Sequence, residues 1–419
     1  MCLEVSEDVV KIRLCRARAP AAHPALTSAA LVALYDGAIM RAAVGTRLLV
    51  AALLFAGCTS TVSIGARAGV GGDASCVSTA SAWQTAVVDK GLGNLDPFGT
   101  STSLAADGPD HIAVAYADEA LRLATYSPTI DWSVRTFETF GRSFEDGLGA
   151  AVRLDAAGRP VVAVASRSGA SSADVRLGDG TELTLPMNGG VDYDIALALD
   201  AGDRPRLAFD DSDRGLGYAE WDGSVWHVEE VDPTVGLEVA LALDAAGRPT
   251  IAHSTIDFHL EVARRGDDGR WTIETVETDG MTQMHSPSLA IDTLGVPELA
   301  WIDQTSWTLK YALRGDDGWK IETVGCAGEA ASVSLALDAE EQPHVAFAAR
   351  TGTAGVGRPT PLPAPLQHAV RAGGAWSVEA VSDAAQSDMS PSLALGADGI
   401  ARVSWYDVAA GSVRYAERR

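Results

Sequence analysis

Lysine is nearly absent from this chain, with four in 419 residues (Lys11, Lys90, Lys310 and Lys320) and a net charge of −24. So acidic a surface repels polyanions, which excludes nucleic acid and anionic membrane surfaces as partners. Long apolar runs are missing too. The most apolar stretch, Leu48-Leu-Val-Ala-Ala-Leu-Leu-Phe-Ala-Gly57, has ten residues, about half of what a membrane-spanning helix needs. Five cysteines are too few for a disulfide framework. No Gly-x-Ser-x-Gly elbow, His-Glu-x-x-His helix, phosphate-binding loop or Cys-x-x-Cys pair occurs. The common enzyme signatures are therefore absent.

What the chain has instead is a repeat. An apolar-Ala-Leu-Asp segment recurs around Asp155, Asp200, Asp244, Asp292 and Asp338, at spacings of 45, 44, 48 and 46 residues. Degenerate copies run from Ser103 to Tyr116 and from Ser392 to Tyr406, the latter with Gly396 in the Asp position. Each copy reads as four short strands. Ser288-Leu-Ala-Ile is the innermost, and Gly-x-Pro turns lead to a second run with a recurring small Ala or Ser. Leu309-Lys-Tyr-Ala is the third, and an Asp-Gly hairpin delivers the fourth, as in Trp271-Thr-Ile-Glu-Thr-Val276. A period in the mid-forties with four strands per copy is that of a β-propeller blade.

The two ends of the repeat array fit together. The seventh copy stops at Tyr415-Ala-Glu-Arg-Arg419 without its fourth run, and an orphan fourth run, Trp83-Gln-Thr-Ala-Val-Val88, precedes the first copy. Lending that strand to the last blade closes the ring and leaves no unpaired edge between blades. The expected fold is all-β, a seven-bladed propeller over 83–419 whose last blade is completed by an N-terminal strand.

Upstream, Met40-Arg41-Ala-Ala-Val-Gly-Thr-Arg47 is a short basic region before the ten-residue apolar core, the layout of a secretory signal. Phe55-Ala56-Gly57-Cys58 resembles the bacterial lipoprotein box, although Phe55 stands where Leu is usual. The resemblance implies cleavage after residue 57 and lipid on Cys58; cleavage by ordinary signal peptidase is the alternative. Residues 1–39 are expected to be a spurious or disordered extension before a start at Met40. Residues 40–57 are then the signal peptide and 58–82 a flexible tether with a reach of roughly 25–30 Å. The protein is expected to be exported, anchored to the cell envelope only through lipid, and monomeric. Cys76 and Cys326 are candidates for one disulfide in an oxidising compartment.

Chemistry is expected at the mouth of the ring formed by the entries to the first strands and the connections from second to third strands. Asp118, Asp210 with Asp211, Asp257, Asp303 and Asp407 follow the second run in their copies. Asp146, Asp194 and His285 lie near the entries, and His253, Trp301 and Trp405 near the ends of second runs. A carboxylate ring with imidazoles suits a divalent cation such as calcium, a cationic ligand or a sugar. An Asp once per repeat also suits bonding to turn N–H groups, and the regular recurrence favours this plainer role. The 351–365 insertion, rich in Pro and Gly, is either a lip over that mouth or a tolerated surface loop. The tryptophans that open fourth runs are expected to cover the seams between blades, the alternative being that some stack on sugar rings; Trp301 and Trp405, near the mouth, are better placed to stack on a ligand. Arg265, Arg314, Arg371 and Arg418, with Glu274, Glu322 and Glu379, are expected to form rim ion pairs.

The pattern Ser-Leu-Ala-Leu-Asp-x-x-Gly-x-Pro followed by Leu-x-Tyr-Ala is similar to tandem repeats of uncharacterised exported bacterial proteins. Leu216-Gly-Tyr-Ala-Glu-Trp-Asp-Gly-Ser-Val-Trp226 resembles a blade of the fucose-specific lectin propellers, whose sites between blades use Arg, Glu and an aromatic, though that family is typically six-bladed. Arg265-Gly-Asp-Asp-Gly-Arg-Trp271 lies where sialidase propellers carry an Asp box, with Trp too early for that motif. These resemblances imply a non-catalytic binding module for carbohydrate or an envelope protein. A glycoside hydrolase or lyase using mouth carboxylates is the alternative.

Overall fold

The structure, a computed structural model, describes residues 3–6, 9–14, 60–64, 77–78, 82–92, 102–117, 120–139, 149–166, 172–187, 191–211, 214–234, 236–257, 259–278, 287–303, 308–324, 329–350, 365–382 and 388–419. It divides into two units, Met1–Gly69 and Val70–Arg419. In the first, Leu3–Ser6, Val9–Leu14 and Ser60–Ile64 form a three-stranded antiparallel sheet.

The second unit is a seven-bladed propeller, each blade an antiparallel sheet of four strands, lettered a to d in chain order, with the last blade borrowing its d strand. The blades are counted from Thr102. In the fourth, the strands are Gly236–Leu243, Pro249–Thr255, His259–Arg265 and Trp271–Thr278. The seventh is built from Asp388–Leu395, Ala401–Asp407 and Ser412–Arg418. Its d strand is Trp83–Lys90, antiparallel to Ser412–Arg418 from Lys90 opposite Ser412 to Trp83 opposite Arg418. Strand a of each blade packs on strand a of the next, and the last returns to the first. The sixth blade gains a fifth, parallel strand, Val77–Ser78, from within the stretch expected to be a tether.

Composition follows radius. Strand b is covered by both neighbouring blades and is buried along its whole length in the fourth, fifth and seventh. Its fourth position must be small. Ala115, Ala163, Ala208, Ala252, Ala300, Ala346 and Ser404 occupy it, all fully buried. Strand d, outermost, is more open, and Trp271–Thr278 has a single buried residue, Val276. Aromatic pairs seal the seams. Tyr218, Tyr311 and Tyr415 of strand c lie 5.5, 5.2 and 5.3 Å from Trp271, Trp376 and Trp132 at the start of strand d one blade on.

The repeated Asp after strand a has a local purpose. Oδ1 of Asp155, Asp244 and Asp292 accepts two backbone N–H groups of the a–b turn, two and four residues ahead. Burial alone would raise the Asp244 carboxyl, but the Arg248 N–H and guanidinium outweigh it and hold it below its usual value. Where Gly396 replaces the Asp, an added Cβ would lie 2.5 Å from the buried Arg402 guanidinium, which pairs with Asp398 instead.

Candidate functional site

The expected mouth residues separate into distinct environments. Trp301 and Trp405 are fully buried at the fifth position of strand b. They wedge between blades and present no face to a ligand, which corrects their reading as stacking platforms. The Trp301 indole donates to Glu277 at 2.8 Å. Asp210 is buried and accepts the Gly236 N–H at 2.8 Å, while Asp303 pairs with Lys310 at 2.8 Å. Asp407 accepts the Ala410 N–H and pairs with Arg414 at 2.7 Å. These three carboxylates hold turns and seams, so the open carboxylate ring expected at the mouth does not form from them. Asp211 is also buried, and Asp257 is exposed in its turn. His285, Asp118, Asp146, Cys58, Cys76, Cys326 and the side chain of Asp194 lie outside the described residues, as does nearly all of the 351–365 insertion.

His253 is the exception. It occupies the fifth position of strand b in the fourth blade, fully buried, and neither ring nitrogen has a hydrogen-bond partner among the described residues. Its cross-strand neighbour is Glu261 on strand c, whose Oε2 lies 3.9 Å from His253 Nε2. From the third blade, Asp232 reaches the same point at the end of strand d. Ligand atoms from Asp232, His253 and Glu261 all lie within 4.8 Å of one another. Burial pushes the imidazole down to about 4, against the pull of Asp232. At neutral pH it is an uncharged ring beside two carboxyl groups. Thr275 donates to Glu261 Oε1 at 3.2 Å, and Asp232 Oδ1 accepts the Thr234 N–H at 2.8 Å.

The same three positions can be followed around the ring. Between the seventh and first blades they are Asp89, Tyr116 and Arg122. The Tyr116 hydroxyl donates to Asp89 at 2.7 Å and the guanidinium at 3.2 Å. Between the fourth and fifth blades they are Glu277, Trp301 and Lys310, with Lys310 bonded to Glu277. Between the sixth and seventh they are Ser382, Trp405 and Arg414. In these three seams the strand-c position carries a cation, whereas in the seam of His253 it carries Glu261. The residue between Leu and Tyr of the Leu-x-Tyr-Ala motif supplies that position. Glu261 in Leu260-Glu-Val-Ala was the available signal in the sequence, and together with Asp232 it is missing from the residues expected there.

A second recurring group lies at the opposite ends of these strands. Arg371 forms two bonds to Glu322 of the preceding blade at 3.0 and 2.7 Å, and the Trp376 indole adds a third at 3.2 Å. Arg265 and Trp271 converge on Glu229 in the same way, and Arg418 and Trp83 on Glu379. Arg314 chelates Glu274 at 2.7 and 3.1 Å. The expected rim pairs are therefore ties across seams, partly open to solvent. A cleft of about 200 Å³ separates the first and second blades, where Arg176 lies 4.4 Å over the Phe137 ring. It is smaller than an ordinary ligand pocket, about 300–1,000 Å³.

No protein-family model matches the chain, and no curated protein matches it. Solved propellers do. Virginiamycin B lyase from Staphylococcus aureus is similar with a TM-score of 0.51 at 8% identity, over 80% of this chain and 98% of the lyase. The β-propeller domain of Myceliophthora thermophila Cps50 (Swd1) gives 0.52 at 11%, over 79% and 99%. The six-bladed fucose-recognising lectin of Aleuria aurantia gives 0.47 at 14%, over 71% and 98%. At such identities the likeness is one of fold alone.

Proposed function

We propose that the protein is a non-catalytic binding module of the cell envelope, exported, held by lipid on Cys58, and taking carbohydrate through the face that carries the c–d turns. The observation that carries this reading is the repetition of one polar group on four seams, Arg265 with Glu229, Arg314 with Glu274, Arg371 with Glu322 and Arg418 with Glu379. A guanidinium and a carboxylate side by side, half-exposed beside an indole, offer donors and acceptors to vicinal hydroxyls and an apolar edge to a sugar ring. Four copies suit several weak contacts on a repeating glycan, where avidity rather than any single site gives affinity. An active centre would need one unique group.

A glycan array with the full chain tests it. The expected result is saturable binding to one glycan class, weakened by Glu322→Gln and further by Glu229→Gln, without product formation. One stable envelope-protein partner and no sugar response would overturn the carbohydrate reading. The Asp232–His253–Glu261 group favours a second reading, a hydrolase or lyase, since it is unique among the described residues and joins carboxyl groups to a neutral imidazole. Turnover of a glycan abolished by His253→Gln would establish that reading in place of the first.

A further inference from the structure

The seam between the third and fourth blades lacks a cation that three of its counterparts have. Where Asp89 and Glu277 enter a seam, a cation from strand c meets them, Arg122 or Lys310. Asp232 enters its seam in the same way and meets Glu261, with a neutral imidazole between. Two carboxyl groups therefore face each other where the seams of Asp89 and Glu277 pair opposite charges. Burying like charges together is costly unless a countercharge is added. The orphaned ring nitrogens of His253 point to the same deficit. A buried polar atom without a partner is destabilising, and such an atom in a well-packed seam calls for a bonding partner.

We infer that this seam is a binding site for one divalent cation, held by an imidazole nitrogen of His253 and one oxygen each from Asp232 and Glu261. The donor set identifies the class of ion. Imidazole with two carboxylates suits zinc or a similar borderline metal, whereas calcium takes oxygen ligands alone. This donor set therefore suits a borderline metal better than calcium, which the sequence offered only as one example of a divalent cation. Three protein ligands leave a coordination position for water or for a group on a bound partner. The surroundings also fit a ligand set held in place. Thr275 bonds Glu261 Oε1, His259 Nδ1 lies 3.7 Å from the same oxygen, and Asp232 Oδ1 is fixed by the Thr234 N–H. Such outer contacts orient ligating groups and leave the second oxygen of each carboxylate for the metal. The site stands independently of what the c–d face binds.

The decisive comparison is between the full chain and Glu261→Lys, which copies the cation of the neighbouring seam and should fold at least as well without metal. Zinc titration by calorimetry, with thiols alkylated, is expected to show one saturable site in the wild type. Glu261→Lys and His253→Gln should each weaken it by at least tenfold, and zinc should raise the unfolding temperature of the wild type only. Cobalt in place of zinc should give ligand-field bands without a thiolate charge-transfer band. Absence of saturable binding in the wild type, or equal binding by wild type and Glu261→Lys, would overturn the assignment.

Discussion

The hydroxyl of Ser392 accepts the backbone N–H of Leu104, 2.9 Å away and 288 residues earlier, so the last blade bonds the first on their innermost strands. Ser103, Ser288 and Ser334 make the same bond to the next blade, reaching Val152, Leu335 and Leu393. Ser392→Ala would leave a part-buried N–H without that acceptor. The second, third and fourth blades carry Ala151, Ala196 and Ala240 at the same position. The expected loss is accordingly at the low end of the usual range, about 1 kcal/mol. Urea unfolding of the full chain, read from the shift in midpoint, checks it.

Trp83 is a second fastening at the same closure. It is buried at the start of the borrowed strand, edge-on to His368 at 5.1 Å, with its indole N–H on Glu379. Trp83→Ala should destabilise by about 3–5 kcal/mol, as large aromatic truncations in cores do. Trp83→Phe keeps most of the packing and should lose only about 1 kcal/mol. Deleting residues 83–90 goes further, exposing the unpaired edge of Ser412–Arg418, and should produce concentration-dependent association in light scattering. A deletion variant that stays monomeric with wild-type stability would contradict this account of closure.

The fold was legible because its determinants are local and repeated. Asp, the positive-φ residue three positions on, and Pro mark the a–b turns of the second to sixth blades, and one turn explains the rest. At Gly247 (φ +77°) glycine supplies the left-handed backbone, while Asp203 and Glu341 adopt it in the third and sixth blades at 59° and 60°. Strand closure was legible as an arithmetic surplus at one end and a deficit at the other. The site was harder to see because it is built across seams. Trp301 looked available for stacking, since its place near the end of strand b says nothing of the blade that covers it. Asp303 and Asp407 looked open for the same reason, although Lys310 and Arg414 lie diagonally across from them on strand c, opposite Trp301 and Trp405. Asp232 and His253 belong to different blades, 21 residues apart, and only packing brings them together.

Lys310 tests the charge balance of a filled seam. It bonds Glu277 and Asp303, both mostly buried, and both bonds keep its ammonium charged despite the opposing effect of burial. Lys310→Met would leave two carboxylates facing each other, so a loss of about 3 kcal/mol is expected. Thermal unfolding should also become pH-dependent, with the variant recovering stability as the pH drops through the carboxylate range. Lys310→Met combined with Glu277→Gln should recover part of the loss at pH 7. If the single and double variants were equally stable, the seam would not depend on charge pairing.

His253 gives the metal-free protein a characteristic response to acid. Its folded-state value is about 4 against an ordinary 6.5. A lowered value means that the fold prefers the neutral ring. The associated stability is complete above about pH 6.5 and is lost as pH falls towards 4, because the unfolded chain takes up the proton first. For a buried group the loss across this window is about 3 kcal/mol. His344 and His368, also lowered by burial, add to the same limb. Asp398, which Arg402 holds near 2, acts in a separate window, with its stability present above about 3.8 and lost below. With chelator present, unfolding midpoints between pH 7 and 4.5 should therefore fall steadily for the wild type. His253→Gln should flatten that slope by roughly the share of one histidine while leaving the limb below pH 4 unchanged. An unaltered slope in His253→Gln would show that the ring is not held neutral by its burial in the seam.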